Sequence, residues 1–568
     1  MDSSESSGLR FSHAAGIGGE AFRPRRGQSL SVRANTEPVT EAGGKVVRVP
    51  PAWREPAFAA LTGALVLLAS LVNFLGHNEY PLLRPEVGLA AALFIVVAAV
   101  IGLVYAAMSG VGRPLLQYIL VFLALDLNFD LPVAIIGTAV IGLLLRRHMM
   151  TFLGIAAGVV LATGLVGIAA GSGGEGRRLA SGLPVSDAPV LVHIILDEHI
   201  GIDGILGDAP ENVAIREKLK AFYLGNGFRL FGGAYAEYLQ SINSIPQILN
   251  FGIEQEWGWP IHDGIVMAKN AYFDKLGALG YGIHVSQRVY VDYCDAAAVV
   301  SCDSKRRSDV SDMADAPLTV IDKARLVVND MRSLSALFRG VTDSYGLVSN
   351  LARRYGVALP TLRPGSDPVA FGSLATLDRV AVELRQAKPG NAYFVHAFAP
   401  HYPYVVDRSC RLRKPSGWMN RDDRSIAKHE REIAYFDQIA CILTKLDAIF
   451  DSLASTPAGA NAVVLIHGDH GSRMSDTEPY VETKGRFTDN DLIATYSTLF
   501  AVRGLGIEPG YDGRRLPVSK LLESIATANF RSADHAPAAD FTPTVVLTDS
   551  SWGPVERHPL PAWWVRPQ

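Results

Sequence analysis

The chain has 568 residues, too many for one ordinary core, and its net charge of -3 gives a polyanion such as nucleic acid no electrostatic reason to bind. Mean hydropathy is +0.18 and 49% of the residues are hydrophobic, which excludes a wholly water-soluble enzyme of average composition and places part of the chain in a membrane.

Residues 1–55 are rich in Ser, Gly and Arg, carry no helical or strand period, and read as a disordered cytoplasmic segment. No small-residue cleavage site closes an early apolar core, so the segment does not read as a secretory signal. Residues 56–170 form the transmembrane region. Three runs, 57–75, 87–108 and 150–170, approach or exceed the about 20 apolar residues that cross a bilayer. Two shorter runs, 114–125 and 131–145, lie between them, which makes a bundle of about five helices. Arg23, Arg25, Arg26, Lys45, Arg48 and Arg54 precede the first run; Arg113 follows the second, and Arg146 and Arg147 follow the fourth. The other loops are poor in Lys and Arg, so five spans put the N-terminus in the cytoplasm and everything after residue 171 outside. If the two short runs make one span, the parity reverses.

Residues 171–188, "GSGGEGRRLASGLPVSDA", read as a linker, and 189–568 as an outer catalytic domain. Short apolar runs at 190–196, 391–398, 461–467 and 496–502 suit a sheet covered on both faces. Between them, Ile439, Ile442, Leu446 and Ile449 recur at helical spacing within 429–450. The pattern predicts an α/β domain with a mostly parallel central sheet between helices, whose ligands bind beyond the carboxyl ends of the strands. All four cysteines fall in this domain. Cys294 and Cys302 are close enough to close a small loop, which leaves Cys410 with Cys441; four unpaired thiols is the alternative.

Three strand ends carry ionisable groups. "VLVHIILDEHIG" ends in Asp197, Glu198 and His199, "NAYFVHAFAPHYPY" ends near His401, and "LIHGDHGSR" ends in Asp469 and His470. One such end alone is an ordinary helix cap or solvated turn; three in one domain are a donor set for a divalent metal. One histidine with two or three carboxylates suits zinc or manganese better than magnesium. Gly468 and Gly471 would let the backbone turn closely around the ion. "EYLQSINSIPQILN" supplies a hydroxyl, Ser241, followed by Ser244 and Pro246, in a loop opening a helix with the proline in its first turn. A helix N-terminus and a metal both favour the alkoxide of such a hydroxyl, whereas the plain reading is a turn and cap.

In this order, the acidic pair, the hydroxyl, "HYPY" and "DHG" resemble the alkaline phosphatase/sulfatase superfamily over roughly residues 57–530, and within it the membrane-anchored branch of lipoteichoic-acid synthases and phosphoethanolamine and phosphoglycerol transferases. The resemblance implies an alkaline-phosphatase-like fold, with Ser241 as nucleophile and metal ligand, and Glu198, Asp469 and His470 as metal ligands. Asp197 would join or support them. His401 would contact substrate or acceptor, and His467, where the family has a small polar residue, would serve in support. It also implies a phospholipid donor, a glycan or lipid acceptor and a bacterial inner-membrane location. Departures accompany it. Asn243 and Ile245 replace the Pro and Arg that formylglycine formation requires, no histidine follows His470 closely, and no cysteine pair flanks Ser241. Arg473, Lys484 and Arg486 stand there instead, as a solvated face or as anion holders. The expected reaction is metal-dependent transfer of a phosphoglycerol or phosphoethanolamine head group through phosphoserine. The rival readings are a phosphodiesterase or sulfatase-like hydrolase with the same site, and a partner-binding outer domain without activity.

Overall fold

The computed structural model describes residues 53–169, 187–252, 265–288, 291–305, 310–333, isolated positions between 335 and 348, 369–421, 423, 425–537, 541–550 and 553–565. Most of the expected disordered segment and the expected linker lie outside these residues.

Among the described residues, three helices are long and apolar enough to cross a membrane: α1 (Arg54–His77), α2 (Pro85–Ala107) and α5, apolar over Met149–Ile168. The two shorter runs form separate helices, α3 (Gly112–Asp126) and α4 (Leu131–Leu144), divided by a turn at Leu127–Asp130 and restarted by Pro132 in the first turn of α4. Both ends of α3 are tied to α1. Arg113 Nη1 donates to Glu55 Oε2 (2.8 Å) at one end. At the other, Asn73 Nδ2 donates to Asn128 Oδ1 (3.1 Å), and Asn128 Nδ2 donates to Ser70 Oγ (3.2 Å).

The outer region is built on eight strands: β1 (Leu191–Leu196), β2 (Arg229–Phe231), β3 (Gly282–Arg288), β4 (Val299–Lys305), β5 (Asn391–Ala397), β6 (Val463–Gly468), β7 (Phe500–Arg503) and β8 (Gly510–Asp512). Their order is β8-β2-β7-β6-β1-β5-β3-β4, and only β7 runs antiparallel to its neighbours. β1 is buried throughout. Its Val192, Ile194 and Leu196 pack with α6 (Pro210–Gly225), and with helices later in the chain that include Leu374, Leu377, Ile439, Ile442 and Leu446. Its Leu191 and Ile195 face α7 (Ser241–Leu249) and α8 (Ala271–Ala278) through Ile242, Ile245, Tyr272 and Phe273. Alternation along one strand thus fills both layers.

One expected strand begins late. Within 496–502, Tyr496 still belongs to a helix, Asp489–Tyr496, and only Phe500 onward pairs in the sheet. A capping box starts that helix: Asp491 N donates to Thr488 Oγ1 (3.2 Å), and Thr488 N donates to Asp491 Oδ2 (2.8 Å). Both disulfides, Cys294–Cys302 and Cys410–Cys441, are formed.

A further helix, α9 (Val320–Ser333), joins the two regions. Its Leu326 lies in the outer core, while Val327 and Met331 pack with Leu71, Phe74 and Leu75 of α1 and Val87 and Ala90 of α2. Arg84 pairs with Asp315, and Asp126 accepts from Ser335 Oγ and, at 3.1 Å, from Ala336 N.

Candidate active site

Register places the site. Leu196, the last residue of β1, lies opposite Ala397 of β5 and Gly468 of β6, so three parallel strands end level and their next residues meet. Asp197 and Asp469 thereby become neighbours although 272 positions apart by number. Asp469 is aimed by the backbone. Its Oδ1 accepts from Glu198 N (3.1 Å) and His470 N (2.9 Å), which leaves Oδ2 buried without a partner among the described residues. His470 Nδ1 lies 3.0 Å from Gly471 O, so that nitrogen carries the proton and Nε2 keeps its lone pair. Burial, and secondly the positive charge of Arg473, push the His470 imidazole down to about 3.

Ser241 opens α7, so its Oγ sits at a helix N-terminus. That oxygen is 3.3 Å from Asp197 Oδ2 and 3.3 Å from His470 Nε2. Ser244, one turn on, donates to Asp469 O (2.5 Å) and fastens the helix to the end of β6. The helix starts at Ser241 itself, so Pro246 lies inside it rather than in the first turn.

The donor set fits a divalent ion. Ligand atoms of Asp197, Asp469 and His470 lie within 4.8 Å of one another, all buried. Asp197 Oδ1 and Asp469 Oδ2 have no other partner among the described residues. Burial, then Asp469 and Glu198, push the Asp197 carboxyl well above its usual range; a cation between the two aspartates relieves that repulsion.

Glu198, expected among the ligands, lies outside that group of three. It sits at φ +63°, and Tyr435 fixes this left-handed turn by donating to Glu198 O (2.7 Å) and accepting from Ile200 N (2.9 Å). Its fully buried carboxylate meets Arg421 Nη1 at 2.6 Å, His401 Nε2 at 3.7 Å and Arg473 Nη1 at 3.8 Å. His401 stands at the margin of the site, stacked on Tyr402 at 4.3 Å between ring centroids. Of the three cationic residues after "DHG", Arg473 is largely buried, whereas Lys484 is an exposed partner of Glu556 and Arg486 caps Glu482 O from the surface.

His467 points below the site into a ring cluster, 4.9 Å from His193 and stacked on Phe500. His199 Nδ1 lies 2.9 Å from Ile200 O, and the residue stays outside the donor group. Gly468 and Gly471 answer to packing. A Cβ on Gly468 would meet Thr498 Oγ1 at 2.2 Å, and one on Gly471 would meet Ala494 O at 2.3 Å.

Two site residues escape the sequence reading. Arg421 comes from a loop without periodicity. His396, buried with both ring nitrogens unpartnered among the described residues, stands 3.8 Å from Asp197 Oδ2. Its place in the apolar run "NAYFVHAF" makes it look like core.

No protein-family model matches the chain, and no curated protein matches it. Solved structures do. The chain is similar to the C-terminal periplasmic domain of EcEptC from Escherichia coli in complex with Zn, at 12% identity over 67% of this chain and 94% of that chain, TM-score 0.35. It is similar to the phosphonate monoester hydrolase of Agrobacterium radiobacter at 10% identity over 63% and 80%, TM-score 0.36. It is similar to a 2-O GAG sulfatase at 14% identity over 62% and 72%, TM-score 0.34.

Proposed function

We propose that the protein is a membrane-anchored, metal-dependent phosphotransferase that moves a phospho-head-group of phosphoglycerol or phosphoethanolamine type from a membrane phospholipid to an outer glycan or lipid. The observation that carries this reading is Ser241 Oγ, held at a helix N-terminus 3.3 Å from Asp197 Oδ2 and from His470 Nε2, beside carboxylate oxygens that lack partners. Asp197, Asp469 and His470, with Ser241, would hold the ion. When bound, the ion lowers the pKa of the Ser241 hydroxyl and neutralises charge on the phosphoryl oxygens; the histidine donor favours zinc or manganese over magnesium.

The chain's own groups do the rest. Ser241 Oγ bonds to phosphorus, the bond from phosphorus to the lipid glycerol oxygen breaks, and that oxygen leaves with a proton as diacylglycerol. The oxygen of an acceptor hydroxyl then bonds to phosphorus and the bond from phosphorus to Ser241 Oγ breaks; His401, at the margin, takes the acceptor's proton, and that proton is returned to Ser241 Oγ. Five spans with the N-terminus in the cytoplasm and the domain outside a bacterial inner membrane would hold the site against its lipid donor at high effective concentration. Incubating the full-length protein with a head-group-labelled phospholipid tests the reading. Label on a glycan or lipid acceptor supports it; release of free head-group phosphate supports the hydrolase reading with water as acceptor. Ser241→Ala retaining full turnover would sink both.

A further inference from the structure

Adjacent residues at the end of β1 carry two buried carboxylates, and their surroundings differ in kind. Asp197 and Asp469 bring two negative charges and no arginine contact. Glu198 and Glu478 bring two more, and these meet two guanidiniums. Arg421 contacts Glu198 Oε1 (2.6 Å) and Glu478 Oε1 (3.5 Å), and Arg473 contacts the same two oxygens at 3.8 and 3.1 Å. Two carboxylates thus face two guanidiniums, with His401 Nε2 also 3.7 Å from Glu198 Oε1, although Glu198 Oε2 keeps no hydrogen-bond partner among the described residues. The Asp197 and Asp469 pair is short of two positive charges, which one divalent ion supplies.

The paired group is also built to bind. The Arg421 side chain is 6% exposed and its guanidinium lies over the Tyr402 ring at 4.9 Å. Arg473, at φ +51°, keeps Nε buried without a partner among the described residues. Glu198 and Arg473 both adopt left-handed backbone that non-glycine residues seldom take, a cost found where a site needs a side chain held in one place. Arg473 follows His470 by three residues, and its positive charge bears on both the His470 and the Asp197 side chains. A planar donor fork of this kind matches phosphoryl oxygens.

We propose that Glu198 stands outside the ion's ligands and is a positioning residue: with Glu478 it holds Arg421 and Arg473 as a pole that binds the phosphoryl oxygens of the substrate, and the site takes a single divalent ion. This rests on the phosphotransfer reading above.

The test uses full-length protein in detergent, Mn(II) and inorganic phosphate, with folding followed by circular dichroism. The wild type and Glu198→Gln should each bind one Mn(II), whereas Asp197→Asn should weaken Mn(II) by at least about 100-fold. In the presence of Mn(II), Arg473→Gln should weaken phosphate by about 10-fold or more, with Arg473→Lys recovering part of the loss. Two ions per chain, loss of Mn(II) in Glu198→Gln equal to that in Asp197→Asn, or wild-type phosphate binding by Arg473→Gln would each overturn the proposal. If Glu198→Gln does not fold, the ion count and the Arg473 pair decide it. A protein that passes these tests yet moves no head group contradicts the transferase reading and leaves the arginine pole standing.

Discussion

Asp197 and Glu198 share a peptide bond, a strand end and complete burial, and each keeps one oxygen without a hydrogen-bond partner among the described residues, yet only Glu198 is gripped by an arginine, Arg421. Burying a carboxylate is costly unless something positive meets it. On the Glu198 side the protein supplies that charge from its own chain; on the Asp197 side it does not, and with Asp469 beside it the repulsion raises the Asp197 carboxyl well above its usual range. The difference teaches how a site can separate two tasks: arginines fix one carboxylate, and on the proposed reading a divalent ion would meet the other.

Breaking the unmet half should have the larger effect. Asp469→Asn removes a donor that two backbone N–H groups aim into the site, and Mn(II) affinity should fall by at least about 100-fold in a titration. The same asymmetry predicts a stability response. An ion present at about 100 times its Kd should stabilise the wild type by about 2.7 kcal/mol, seen as a rise in Tm, and leave Asp197→Asn nearly unmoved.

Acid should expose a third environment beneath both halves. Burial holds the imidazoles of His199 and His467 down to about 4. Their folded pKa lies below the unfolded value, so the unfolded chain takes up the proton first, and stability is lost as pH falls from about 6.5 towards 4. Each is worth up to about 3 kcal/mol over that window. Unfolding of the ion-loaded protein at pH 7 and pH 5 checks this; equal stability would contradict it.

Smaller changes sharpen the contrast. Ser244→Ala deletes the hydroxyl that ties α7 to Asp469 O and should cost about 1 kcal/mol in denaturant unfolding. Tyr402→Leu removes the ring beneath Arg421 and should cost about 0.5–1 kcal/mol, with Mn(II) binding unchanged.

Much of this was legible from residues alone. β1, β5 and β6 announce themselves as apolar runs, and Asp469 and His470 stand where one of those runs stops. Ser241 was marked by its spacing to Ser244 and Pro246. What could not be read has physical reasons. β2 and β8 are three residues each, too short to show a period. Which of Asp197 and Glu198 joins Asp469 and His470 depends on the φ of +63° at Glu198, and that turn is fixed by Tyr435 from a distant helix. Arg473 looked like a solvated charge because its burial depends on Glu478 and Arg421, partners that a linear pattern does not connect.

The central claim is that Ser241 carries the transferred group. Mass spectrometry of the Ser241 peptide, after brief incubation of the full-length protein with phospholipid membranes and a divalent ion, tests it most directly. The account predicts a phospho-head-group mass on Ser241 that is absent from Ser241→Ala and disappears when acceptor is supplied. An unmodified Ser241 in a sample that turns over donor would contradict it.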